Sequence, residues 1–304
     1  MFPDRQNSLV WVDRQGRTEA IAPFKAPFFA PRLSPDGKQI AYMIFGKEKQ
    51  VWVYDISRGT ASRLTGEGRA TVANWTPDGN RLVFGWCKEG EPNLYWQPAD
   101  GSGAMDRLTK SDFYQTPGTW SPDGATLDFT ELSPDVLWHI FSLDLKSRRI
   151  TRFLNSPAAE VYPEFSPDGR WMAYASAETG RLEVYVRPFP GPGGKWLISQ
   201  ERGSEPLWAR SGSQLYYRSI DGKEVWAVDV QTGAVFSTSK PRLLLKLTER
   251  MGVAVPMRAW DVSPDGQRFL MVKLEDVKPT PVTEMVLVVN WVEDLKRLAP
   301  AGKK

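Results

Sequence analysis

Histidine and cysteine are nearly missing from this chain: His139 and Cys87 are the single examples in 304 residues. One histidine cannot build a metal site that needs several imidazoles, and one cysteine can form neither an internal disulfide nor a thiolate cluster. No metal and no cofactor is therefore expected, while the compartment stays open. Long apolar runs are missing too. The most apolar stretch, Met285 to Val289, is far short of the roughly 18 residues a bilayer span requires, so no membrane insertion by this segment is expected. The start, Met1 to Asn7, lacks the apolar core of a signal peptide, which leaves either a cytosolic protein or a segment of a longer exported or anchored one. A strand-like Leu9-Val10-Trp11-Val12 so close to the beginning favours the segment. Neither sign of charge dominates, with 39 Lys plus Arg against 36 Asp plus Glu, interspersed. That describes a solvated surface and excludes a nucleic-acid footprint.

What the chain has in abundance is a repeated word. Ser34-Pro35-Asp36-Gly37, Thr76-Pro77-Asp78-Gly79, Ser121-Pro122-Asp123-Gly124, Ser166-Pro167-Asp168-Gly169, the worn Ala209-Arg210-Ser211-Gly212 and Ser263-Pro264-Asp265-Gly266 follow one another at glycine spacings of 42, 45, 45, 43 and 54. Such a period marks a propeller blade or a solenoid unit. The word is a turn by its chemistry: proline presets φ, aspartate accepts from backbone N–H groups ahead of it, and glycine takes positive φ without a Cβ penalty. Its aspartates are thereby explained without a metal.

Each repeat predicts four short strands. In the first, Arg32-Leu33-Ser34 precedes the turn, then come Gln39–Ile44, Val51–Asp55 and Ser62–Thr65. Aromatics recur in the third strand as Trp52, Tyr95, Phe141, Tyr185 and Trp226. Large residues, Leu33, Trp75, Trp120, Phe165 and Trp208, stand just before the turns; with 12% aromatics and thirteen tryptophans they supply an inter-blade core. The expected fold is an all-β, six-bladed propeller of four-stranded antiparallel blades, one domain over 1–298 with a disordered tail at 299–304. The sixth blade is expected to be closed by strands from both termini, because closure removes open sheet edges. Met285 to Trp291 and the N-terminal Leu9–Asp13 compete for its third position. A long insertion between Ser237 and Met257 is expected on the loop entering that blade, and one or two helical turns at 293–298.

Trp120-Ser121-Pro122-Asp123-Gly124 and Phe165-Ser166-Pro167-Asp168-Gly169, each followed by a strand, together with the closing words Arg63-Leu64-Thr65 and Arg107-Leu108-Thr109, resemble the TolB-type β-propeller repeat over roughly residues 28 to 273. The segments 9–16, 31–37 and 261–270, with Val289-Asn290-Trp291, are similar to the propeller that follows the kinase domain in many bacterial serine/threonine kinases. That resemblance implies a sensor portion on the extracytoplasmic side. Within this chain there is no Gly-rich loop with its lysine, no His-Arg-Asp word and no Asp-Phe-Gly. The metal site of the lyases sharing this repeat needs histidines that are absent, and no Gly-x-Ser-x-Gly serves a serine hydrolase.

With no catalytic constellation, the function expected is non-catalytic binding or sensing of a protein or peptide, or a small ligand, by a monomer. An enzyme working through channel carboxylates, and a purely structural spacer, remain the alternatives. If the large residues pack between blades, the alternate face of each first strand lines the channel. This assigns Arg32, Asn74, Thr119, Glu164, Leu207 and Asp261 to the channel. The mouth loops add Phe28, Phe29, Phe113, Tyr114, Tyr162, Arg202 and Arg258, residue types suited to a partner surface.

Overall fold

The computed structural model describes residues 6–46, 49–135, 137–191, 193–233 and 236–275. The turn word forms the same closed circuit wherever it is intact. In Ser166–Gly169, the Ser166 hydroxyl donates to Asp168 Oδ1 at 2.6 Å and accepts the Trp171 N–H at 3.0 Å; Gly169 N–H donates to Ser166 O at 2.8 Å with φ at 70°. The Ser166 hydroxyl, the Asp168 carboxylate and the Gly169 N–H are thus satisfied within the turn, so the strands on either side start in register.

Six antiparallel sheets result. The first blade is Phe28–Leu33, Gln39–Ile44, Gln50–Asp55 and Thr60–Arg63; the second is Arg69–Trp75, Arg81–Cys87, Asn93–Pro98 and Asp106–Arg107. The third runs Gln115–Trp120, Thr126–Leu132, Trp138–Asp144 and Ile150–Arg152, and the fourth Glu160–Phe165, Trp171–Ser176, Glu183–Pro188 and Trp196–Leu197. The fifth has Ser204–Trp208, Gln214–Arg218, Glu224–Thr232 and Arg242–Lys246. In the sixth, Trp260–Val262 and Arg268–Leu274 are completed by Asn7–Asp13 and Thr18–Ala20. The ring is an all-β six-bladed propeller closed by both ends of the chain. Among the described residues no helix is long and apolar enough to cross a membrane.

The contest for the sixth blade is decided by register. Asn7–Asp13 pairs along its whole length with Arg268–Leu274, placing Trp11 opposite Leu270, so the N-terminal strand takes the third position. Residues 285–291, 293–298 and the tail lie outside the described residues. The expected 237–257 insertion is divided in the structure. Its first residues belong to the short strand Phe236–Thr238, which folds back on a third strand lengthened to Thr232 and lets Phe236 meet Trp171 and Trp196 of blade four at 4.7 and 5.0 Å between ring centroids. The fourth strand Arg242–Lys246 follows, and the remainder forms the stretch that leads into blade six.

Blades adhere through apolar side chains on facing sheets. Leu33, Trp75, Trp120, Phe165, Trp208 and Val262 are all buried, each in a cluster between neighbouring blades. Burying a side chain of that size contributes roughly 2–3 kcal/mol. The turns add a second belt. A Cβ on Gly37, Gly79, Gly124, Gly169 or Gly212 would meet the proline of the preceding turn, respectively Pro264, Pro35, Pro77, Pro122 and Pro167. The proline therefore does two jobs: it sets its own turn and covers its neighbour's glycine. The series breaks at the worn turn, where Arg210 stands for proline. Its guanidinium instead donates to Ser34 O and Pro35 O of blade one.

Candidate functional site

The first strands bring a set of polar side chains to the inside of the ring. In blades one, four and five each carries a bulge three residues before the large apolar one, at Ala30, Tyr162 and Glu205, with φ of 45°, 58° and 52°, each followed by a proline. A left-handed backbone at a residue other than glycine is costly, so the surrounding contacts must hold it there. Tyr162 is held by its hydroxyl, which donates to Ala254 O. Glu205 is held by Ala259 N–H on its carboxylate at 3.0 Å and by the Trp260 indole on its carbonyl at 3.1 Å.

Arg32, Asn74, Thr119, Glu164, Tyr162 and Arg258 line one central cavity, together with Pro256 and Met257 from the stretch leading into blade six. Asp261 stands behind it, 3.8 Å from Arg258. Arg258 is the hub. One guanidinium nitrogen is paired with Glu164, another faces Asp261, and Nε donates to Trp260 O at 2.9 Å. Burial raises the Glu164 carboxyl against the pull of Arg258, while Glu164 and Asp261 raise Arg258 against its own burial. Arg32 is treated differently: burial first, then the positive Arg258 beside it, push its guanidinium down to about 9. Its Nη1 donates to Pro31 O at 2.8 Å, and the nearby Asp261, Glu164 and Glu205 carboxylates act against the lowering.

Several of these groups join blades. Asp261 accepts the Leu33 N–H at 2.9 Å and Thr119 accepts the Phe165 N–H at 3.0 Å, while Asn74 donates to Gly118 O. Trp75 and Trp208 donate their indole N–H to Arg32 O and Glu164 O of the preceding blade, at 3.1 and 3.2 Å. The unlike polar residues of the channel are thus in part clasps between unlike neighbours.

The expected positions are not all brought together. Leu207 does not face the cavity: its apolar side chain packs with Val10, Tyr216 and Trp260 in the core between blades five and six. Phe28 is buried against Tyr42, and Phe29 rests near Phe45. Tyr114 meets Trp138 edge-on at 5.6 Å, and burial pushes its hydroxyl up to about 12. Phe113 and Arg202 are exposed and outside the cavity lining. Sequence reading missed Glu205 and Arg218, a fully buried pair 3.5 Å apart. The signal was there: Glu205-Pro206 repeats Tyr162-Pro163 and Ala30-Pro31 at the same distance from the apolar residue. Among the described residues no group of three or more His, Cys, Asp or Glu side chains could hold a metal ion.

Comparison with known proteins agrees with this architecture. A family model described as PD40, TolB beta propeller domain, matches residues 3–133. An uncharacterized protein of Agrobacterium fabrum (strain C58) is 25% identical over 262 residues, covering 81% of this chain and 84% of that protein. The Tol-Pal system protein TolB of Francisella tularensis subsp. tularensis (strain WY96-3418) is 27% identical over 169 residues; the match covers 54% of this chain and only 39% of that one. Among solved structures, a putative TolB from Agrobacterium tumefaciens superposes with a TM-score of 0.67 at 22% identity, over 90% of this chain and 99% of that chain. An oligogalacturonate lyase from Vibrio parahaemolyticus has a TM-score of 0.54 at 12% identity, over 88% and 97%, a likeness of fold alone.

Proposed function

We propose that this TolB-like six-bladed propeller is a non-catalytic recognition domain that receives an acidic segment of a protein partner at its central cavity. The observation that carries this is Arg32. It is a buried guanidinium on the cavity wall whose hydrogen bond goes to a neighbouring carbonyl, while Glu164 and Asp261 are taken up by Arg258. A desolvated cation with so few partners gains most from an incoming carboxylate, which a guanidinium meets with two parallel hydrogen bonds. Pro256 and Met257, on the same cavity wall, offer apolar contact beside it. Selection of a random peptide library on the wild-type protein and on Arg32→Met tests the reading. Peptides rich in Asp and Glu are expected on the wild type and lost on the variant; a neutral or basic consensus, or equal binding to the variant, refutes it.

In its finer form, the proposal is that the propeller is the sensing portion of a bacterial receptor-type kinase, on the extracytoplasmic side. The likeness of residues 9–16, 31–37 and 261–270 to kinase-linked propellers supports it. The gene around this coding segment decides: a kinase domain and a membrane helix ahead of the propeller are expected, and a gene without them removes this part and leaves the recognition site standing.

A further inference from the structure

In blades one, two and four the fourth strand is followed by a hydroxyl residue with a fixed task. Thr65, Thr109 and Ser199 accept the N–H of Val51, Leu94 and Val184 at 2.9–3.0 Å and donate to the side-chain oxygen of Gln50, Gln115 and Glu183. The backbone bond that marks this position, Phe153 N–H to Ile140 O at 2.9 Å, places Leu154 at the corresponding site of blade three. Leucine has no hydroxyl to give. Glu160 stands where Gln115 stands one blade earlier, five residues before the large apolar residue, and so it loses the donor that Gln115 keeps.

The consequence is a carboxylate that is fully buried, with the Ser156 hydroxyl and the Ile140 backbone near it but no hydrogen bond of full geometry to either oxygen. His139 does not supply one. Its Nδ1 is 3.5 Å from Glu160 but already accepts from Arg152 Nη2 at 2.7 Å, so that nitrogen carries no proton, and Nε2 faces Asp135 at 3.4 Å. Glu160 lies on the wall of a cleft between blades three and four, bounded also by Leu154, Ser176, Glu178, Arg187 and Lys195. Lys195 and Glu178 are paired with each other. That leaves Glu160 and Arg187, whose Nη2 donates to Gly193 O at 3.4 Å and whose guanidinium lies over the Phe153 ring, but whose buried Nε has no partner.

We infer that this cleft, separate from the central cavity, binds a free amino acid, its ammonium group on Glu160 and its carboxylate on Arg187. An unsatisfied buried carboxylate calls for a charged donor, and an ammonium has three N–H groups to offer. An unsatisfied guanidinium N–H calls for an anionic acceptor. Opposite charges on one cleft match a small molecule that carries both.

Calorimetric titration of the twenty L-amino acids, one at a time, tests this. At least one is expected to bind the wild-type protein and to bind Glu160→Gln and Arg187→Met at least tenfold more weakly. Its N-acetyl derivative, without the ammonium, and its amide, without the carboxylate, are expected to fail on the wild type. Absence of binding by all twenty, undiminished binding to Glu160→Gln, or equal binding of the N-acetyl derivative overturns the assignment. If circular dichroism finds Glu160→Gln misfolded, the blocked derivatives and Arg187→Met decide alone.

Discussion

A buried carboxylate without a donor leaves a mark on stability, and Glu160→Gln makes that mark measurable. Burial is the main cause that pushes Glu160 up to about 7 from an ordinary 4.5, opposed by the Ser156 hydroxyl and the charge of Arg152. The folded protein therefore holds a proton that the unfolded chain has released. Glu160 contributes fully at pH values below its ordinary one, and that contribution is lost as pH rises to about 7, after which the loss is constant. At about 1.4 kcal/mol per pH unit, this difference amounts to ~3 kcal/mol. Glutamine has the same shape and no charge to desolvate, so it keeps the stability at all pH. Urea unfolding of both proteins is expected to give free energies of unfolding that differ little at pH 4.5, with the variant up to about 3 kcal/mol more stable at pH 8. The shared carboxylates cancel in the comparison. A difference that does not change between pH 4.5 and 8 refutes the argument, because it would mean that Glu160 titrates alike in the folded and unfolded chains.

Two further outcomes concern the ring. Trp208→Phe removes an indole N–H that bonds to Glu164 O, whereas the Trp120 indole N–H is buried without a partner; the first substitution is expected to cost about 1 kcal/mol more than Trp120→Phe in thermal unfolding, and the reverse order would contradict the clasp. Arg258→Met strands Glu164 and Asp261 and should cost roughly 3–5 kcal/mol, while adding Glu164→Gln should recover part of it; a double-mutant cycle with zero coupling would dissolve the proposed hub.

The blade count and the core were legible because both rest on local chemistry repeated six times. Ser-Pro-Asp-Gly satisfies its own polar groups within six residues, so it reads as a turn wherever it stands. Leu33, Trp75, Trp120, Phe165 and Trp208 were legible as core from their constant distance to that turn. By the same register Arg32, Asn74, Thr119 and Glu164 come to line the central cavity, whereas the apolar Leu207 packs in the core between blades five and six. The mouth loops were the weakest ground. Arg258 entered the central cavity and Arg202 did not, since nothing local tells a loop which way to fold.

By itself, then, the sequence determined the six blades and their strand order within each repeat, since these follow from turn chemistry and strand alternation over a few residues. Only the tertiary structure decided which terminal strand completes the ring: Trp11 gains its place opposite Leu270 from pairing across the closed circle. It also gave the repeated proline its second task against the next blade's glycine, and it gathered Arg258, Glu164 and Asp261 around one cavity. Those relations join residues up to 259 positions apart, as Trp11 and Leu270 are, and no local pattern records a contact of that separation.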